Sequence, residues 1–123
     1  MLERELTEKV IGAAIEVHKH WGPGLFEGVY EKSLCRELQL RGLSVESQVE
    51  IPLIYKGEPV GDSLRMDLFV EKKLVVELKS VAALEPIHDA QLLTYMKLVH
   101  CKVGLLINFN VTVLTHGVKR MVL

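Results

Sequence analysis

Apolar and polar positions alternate through two neighbouring stretches in the middle of the chain. These are Leu64–Val70 (L-R-M-D-L-F-V) and Leu74–Lys79 (L-V-V-E-L-K), separated by the polar Glu71–Lys73. Strand side chains switch faces at every residue, so the pattern predicts two strands joined by a tight turn. In the first, Leu64, Met66, Leu68 and Val70 share one face, and Arg65, Asp67 and Phe69 share the other. In the second, Leu74, Val76 and Leu78 oppose Val75, Glu77 and Lys79. A three-residue loop sets Val70 opposite Leu74 and Asp67 opposite Glu77, with Cβ atoms roughly 4.5–5.5 Å apart. A two-residue loop sets Asp67 opposite Val76 and sends the acids to different faces. The three-residue register is the expectation. It gathers two carboxylates and a lysine, a set that repels itself unless a cation binds.

Around this hairpin the periodicity predicts further elements. Leu6, Val10, Ala13, Ala14, Val17 and Trp21 recur at helical spacing, giving a helix over 4–20 with Thr7 as a weak cap. His18 and His20 fall on different sides of it and make a poor metal pair. Gly22-Pro23-Gly24 turns the chain into a second helix, Leu25 to Arg41, ended by Gly42. There Glu27 falls angularly between the apolar Leu34 and Leu38, with Tyr30 and Glu31 at its flanks. An acid in an apolar stripe is costly to bury without a partner, so the spacing alone reads Glu27 as ion-paired or at an edge with its carboxylate reaching water.

Residues 44–56 predict a strand carrying Pro52, which suggests an edge or a bulge, followed by a turn at Lys56-Gly57-Glu58-Pro59. Pro86 fits the first turn of a helix running to His100 that is apolar nearly all round and so packed on more than one side. His88, Gln91 and Tyr95 cluster on one of its faces, either as a hydrogen-bonded polar patch or as part of a site. The apolar run Lys102–Phe109 predicts a central buried strand, parallel to 74–79 through a right-handed crossover. Val113–Leu114 suggests a short extended piece, and Val118–Leu123 a last strand. The element order is α-α-β-β-β-α-β-β, an α/β fold with a mixed central sheet flanked by helices.

Composition narrows the class. The chain has 123 residues, 49% hydrophobic and 25% charged, which fits one globular domain over 1–123. No apolar run reaches the ~18 residues of a membrane span, so no membrane partner is expected. The N-terminal M-L-E-R-E-L-T-E-K carries both charge signs and no apolar signal region, so the expected location is cytoplasmic. Cys35 and Cys101 lack metal-ligand spacing and read as buried thiols. A net charge of -1 argues mildly against strong independent DNA binding, though an acidic metal site subtracts from the total.

Asp67, Glu77 and Lys79 thus form an acid–acid–lysine set. Carboxylates suit a hard cation such as Mg²⁺ (or Mn²⁺). Such an ion lowers the pKa of bound water and neutralises charge at phosphorus, while lysine orients the water or stabilises that charge. An E-x-K on a strand is a weak signal alone; preceded by an acid at hairpin distance among apolar neighbours, it is more specific.

The stretch 17–30, V-H-K-H-W-G-P-G-L-F-E-G-V-Y, resembles the signature of the GxxExxY proteins, with Gly24, Glu27 and Tyr30 at the named positions. R-M-D-L-F-V (65–70), V-E-L-K-S (76–80), A-Q-L-L-T-Y-M (90–96) and G-L-L-I-N-F (104–109) fit the same family in order. That family is placed in the PD-(D/E)XK nuclease superfamily, whose core is restriction-endonuclease-like. The resemblance implies that Asp67, Glu77 and Lys79 are the catalytic D…ExK set, and that Glu27 joins Asp67 and Glu77 at the metal. It also implies that Gln91 and Tyr95 are the QxxxY pair of the RecB-like branch, shaping the site or holding substrate. Met66 stands where the superfamily name has proline. Tyr30, Glu31 and Arg65 are added as site-shaping, second acid and phosphate contact.

The expected function is metal-dependent hydrolysis of phosphodiester bonds in DNA, and less so RNA. The alternative is a catalytically silent nuclease-fold module that binds nucleic acid or serves in an assembly. A homodimer could supply the missing binding surface, with the C-terminal strand V-K-R-M-V-L as its edge.

Overall fold

The computed structural model describes residues 3–123. Met1 and Leu2, the start of the charged N-terminal segment, lie outside the described residues. Two helices open the chain, α1 (Arg4–Trp21) and α2 (Glu27–Leu40). Strand β1 (Val45–Ile51), a small hairpin of β2 (Ile54–Tyr55) and β3 (Glu58–Pro59), and strands β4 (Leu64–Val70) and β5 (Leu74–Lys79) follow. Helix α3 (Pro86–Leu98) leads to β6 (Val103–Asn108), a 3₁₀ turn (Leu114–Gly117) and β7 (Val118–Val122). The expected α/β architecture is therefore present, with the β2–β3 hairpin added. Pro52 ends β1 because it lacks the N–H that would continue the ladder, and the chain pairs again only beyond it.

The main sheet has five strands in the order β1-β4-β5-β6-β7. All neighbours are antiparallel except β5 and β6, which run parallel as the intervening helix requires. The β4–β5 turn takes the three-residue form: Val70 pairs with Leu74, and Glu71 and Lys72 adopt φ of 54° and 52° to close it. Helices α1 and α2 pack on one face of the sheet, where Val10, Ala14, Tyr30, Leu34 and Leu38 meet Leu68, Val76, Leu78 and Ile107. Helix α3 packs on the other, where Leu92, Tyr95 and Met96 meet Val75, Met66 and Leu106. Gly104 permits that contact, since a Cβ there would lie 2.7 Å from the Met96 sulfur.

One expectation about β4 fails in an informative way. Leu64, Met66, Leu68 and Val70 do not share a face: Leu64 and Met66 join the α3 side, and Leu68 and Val70 the α1/α2 side. Strand β1 changes sides at the same level, with Val45 on the α1/α2 side and Val49 on the α3 side. The residues at the change are Gln48 and Asp67, the gap in an otherwise continuous β1–β4 register. Gln48 has φ of 51°, a left-handed backbone within a strand. Such a residue rotates the chain out of simple alternation, so inward and outward positions exchange beyond it.

Three smaller expectations also change. Thr7 is not a cap, because α1 begins at Arg4 and buries Thr7 within its first turns. Helix α3 is packed on one side and not on more: Ile87 is 67% exposed, and the buried residues Leu92, Tyr95 and Met96 share a single face. The segment at Leu114 turns as a 3₁₀ helix instead of extending.

Candidate active site

The acids of the central hairpin meet where β4 and β5 part. The regular ladder ends at Leu68–Val76. One residue further, the Asp67 amide donates to Glu77 Oε1 at 2.9 Å, and the Leu78 amide donates to Asp67 Oδ2 at 2.9 Å. Side-chain carboxylates thus take the place of backbone carbonyls, opening the strands while leaving their N–H groups satisfied. Glu77 follows the unbroken alternation of β5 and, with Lys79, belongs to the α3 side. Asp67 sits at the crossover itself. Its charge therefore reaches Glu31 of α2 on one side and Tyr95 of α3 on the other.

Burial and crowding of like charge set the electrostatics. Glu77 is only 3% exposed. Burial first, then the Asp67 charge and to a lesser degree Glu27, raise its pKa to about 8, against the lowering by the Asp67 amide and Lys79. Glu31 is raised to about 7 by partial burial, then by Asp67, with Glu27 adding a smaller push. Burial and the two hairpin acids push the Tyr95 phenol up, while a hydrogen bond with Gln91 counters them. These are the signs of a pocket with surplus negative charge.

The remaining side chains are placed by neighbouring elements. Lys79 Nζ donates to Gln91 Oε1 at 3.1 Å, joining β5 to α3. Gln91 lies one helical turn from the buried Tyr95, so both face the hairpin. The β5–α3 connection is held by Asn108, buried at the end of β6 beside Lys79. Its side-chain oxygen accepts from the Val81 amide at 3.1 Å and its nitrogen donates to the Val81 carbonyl at 2.9 Å. Polarity at the end of an otherwise apolar strand was the signal for this residue.

Tyr30 gives the G-x-x-E-x-x-Y spacing a physical meaning. It is fully buried and stacked on Phe109, with ring centroids 4.5 Å apart. Its hydroxyl donates to the Gly22 carbonyl and accepts from the Leu25 amide. Ser80, next to Lys79, donates to the Leu25 carbonyl at 2.6 Å. Gly22 and Gly24, at φ of 69° and 100°, let the intervening turn close. Tyr30 and Ser80 thus fix the start of α2 beside the end of β5, and Glu27 is the first residue of that helix. Tyr30 offers no surface to a ligand; what it does is shape the loop.

Other expected residues stand apart. Arg65 donates to Glu50 at 3.2 Å on the exposed part of β4 and meets none of the clustered acids. His88 serves α3 as a cap, its Nδ1 accepting from the Glu85 amide. Gln48, which sequence patterning did not single out, donates its side-chain amide to Glu31, with Asp67 Oδ1 at 3.5 Å.

The donor chemistry fits a hard divalent cation. Asp67 Oδ1 and Glu77 Oε2 are not used by the backbone contacts that hold the hairpin, leaving one oxygen from each acid. Among the described residues no three His, Cys, Asp or Glu side chains form a ready ligand group, although the charge of Glu27 reaches both Glu77 and Glu31. Two carboxylates with water and substrate oxygens is the coordination that Mg²⁺ favours.

No curated protein and no solved structure matches the chain. A family description does, over residues 4–121, from α1 into β7 and including every residue of the candidate site. The mixed five-stranded sheet with helices on both faces is consistent with a restriction-endonuclease-like core, and nucleases of this kind usually use a divalent metal. The chain belongs to the PD-(D/E)XK nuclease superfamily.

Proposed function

We propose that this chain is a metal-dependent nuclease that hydrolyses phosphodiester bonds in DNA, with RNA the less favoured substrate. The observation that carries the reading is the reciprocal Asp67–Glu77 contact with Lys79 held beside it by Gln91. Asp67 and Glu77 would hold Mg²⁺ or Mn²⁺, with Glu27 and Glu31 adding charge from α2. The ion, when bound, supplies a more acidic water and offsets charge on the phosphoryl oxygens. Lys79 has N–H donors beyond the one given to Gln91, and these hold the attacking water and meet the developing negative charge. Gln91 fixes where that ammonium stands, and Tyr95 forms the wall behind it. The resemblance of residues 17–30 to the GxxExxY signature, and of Gln91 and Tyr95 to the QxxxY pair, supports the same assignment.

A second reading rests on the lack of a ready three-ligand group among the described residues and on the near-neutral charge. It makes the chain a silent module that binds nucleic acid or joins an assembly. The deciding experiment is cleavage of single- and double-stranded DNA in Mg²⁺ or Mn²⁺, with Lys79→Ala beside the wild type. Cleavage lost in the variant supports the enzyme. Cleavage that survives the substitution points to a contaminant, and absence of both cleavage and calorimetric metal binding favours the silent module.

A further inference from the structure

A cleft of about 250 Å³ runs between α2 and β1, lined by Glu31, Lys32, Cys35, Arg36, Ser47 and Gln48. We propose that it is the track along which the sugar–phosphate backbone of the substrate strand enters the active site, with Lys32 and Arg36 meeting its phosphates. This rests on the nuclease reading above and adds where the strand lies.

Continuity is the first argument. Glu31 and Gln48 line the cleft and also belong to the acid cluster, where the Gln48 amide bonds Glu31 and approaches Asp67. A strand lying in the cleft therefore arrives at the acids without crossing another element. The left-handed backbone at Gln48 is what turns its side chain from the strand pattern toward that junction.

Charge is the second. Lys32 and Arg36 are four residues apart on α2, so their side chains share one face about 6 Å apart along the axis. Both are exposed, and neither makes an ion pair among the described residues, whereas Lys9, Arg41, Arg65 and Lys119 each pair with an acid. A chain with net charge -1 gains little from its overall field. Local uncommitted cations must then supply the phosphate contacts, and Ser47 adds a hydroxyl donor to the same wall.

The test measures binding apart from cleavage. Fluorescently labelled single- and double-stranded DNA is titrated with the Lys79→Ala chain at fixed Mg²⁺ over a range of salt. The same is done with Lys32→Gln and Arg36→Gln added. Loss of two phosphate contacts lowers the slope of log affinity against log salt by about 1.4 for single strands or 1.8 for duplex. Affinity near physiological salt falls on the order of 10-fold. In the chain with Lys79 intact, the pair of substitutions raises KM and spares kcat. Lys102→Gln, at the opposite end of β6, leaves the slope unchanged. An unchanged slope in the double variant, or an equal fall with Lys102→Gln, overturns the track while wild-type cleavage still stands. Failure of the wild type to bind or cleave any strand overturns the nuclease reading and the track together.

Discussion

Asp67 and Glu77 each accept a backbone N–H from the strand that carries the other, at 2.9 Å in both directions. The two carboxylates are thus structural joints of the hairpin as well as the centre of its negative charge. That double duty determines how the protein should respond to pH and to substitution.

Without a divalent cation, stability should fall as pH rises from about 5 to about 8. Glu77 has a folded pKa of about 8, well above the ordinary carboxylate range, so in that window the folded chain binds the extra proton. The stabilisation is complete below the unfolded pKa and is lost as pH rises through the folded one. Glu31, raised to about 7, acts in the same direction. Glu77→Gln keeps the acceptor for the Asp67 amide and removes the charge. It should flatten the slope and gain about 2–4 kcal/mol at pH 8. Urea denaturation in EDTA across this range is the measurement, and added Mg²⁺ should restore the wild type at high pH.

Gln91→Ala should cut turnover about 10-fold with little change in KM. The side chain holds Lys79 by one hydrogen bond to a charged group, worth about 1.5 kcal/mol, and 1.36 kcal/mol is about a factor of ten in rate. Steady-state cleavage kinetics would show it, with circular dichroism confirming an intact fold.

Tyr30→Phe should destabilise the protein by about 1–3 kcal/mol, because it removes partners from the Gly22 carbonyl and the Leu25 amide. The ring remains stacked on Phe109, so the loss belongs to the hydroxyl. Chemical denaturation would read the stability. Cleavage should fall as well, since Glu27 begins the helix that this loop anchors.

Gln48→Gly and Gln48→Val should part company. Glycine adopts the positive φ of this position freely, and a β-branched residue resists it. The glycine variant should be the more stable by about 1–2 kcal/mol on thermal or urea denaturation, while both lose the amide that bridges Glu31 and Asp67.

Much of this organisation was legible in the residues. Alternation in 64–70 and 74–79 located β4 and β5, and the polar Glu71–Lys73 identified their register. The continuous apolar run 103–108 marked the buried central strand. What patterning missed lies where tertiary contacts override a local rule. The face exchange at Gln48 and Asp67 is invisible because glutamine carries no signal for a left-handed backbone. Ile87 and Leu98 counted toward an all-round apolar helix, yet α3 lies at the surface and leaves both exposed. Arg65 looked close to the acids in sequence, and the same exchange sends it to Glu50.

The reciprocal contact of Asp67 and Glu77 also bears on how relatives of this chain should diverge. A descendant that gave up chemistry would still need both acceptors to keep β4 and β5 joined, so its acids, or Asn and Gln in their place, would persist for architectural reasons. Lys79 carries no such obligation, since among the described residues its ammonium donates to the Gln91 side chain and holds no backbone group of the hairpin. The lysine, more than the acids, is therefore the residue whose survival distinguishes a working lineage from a retired one.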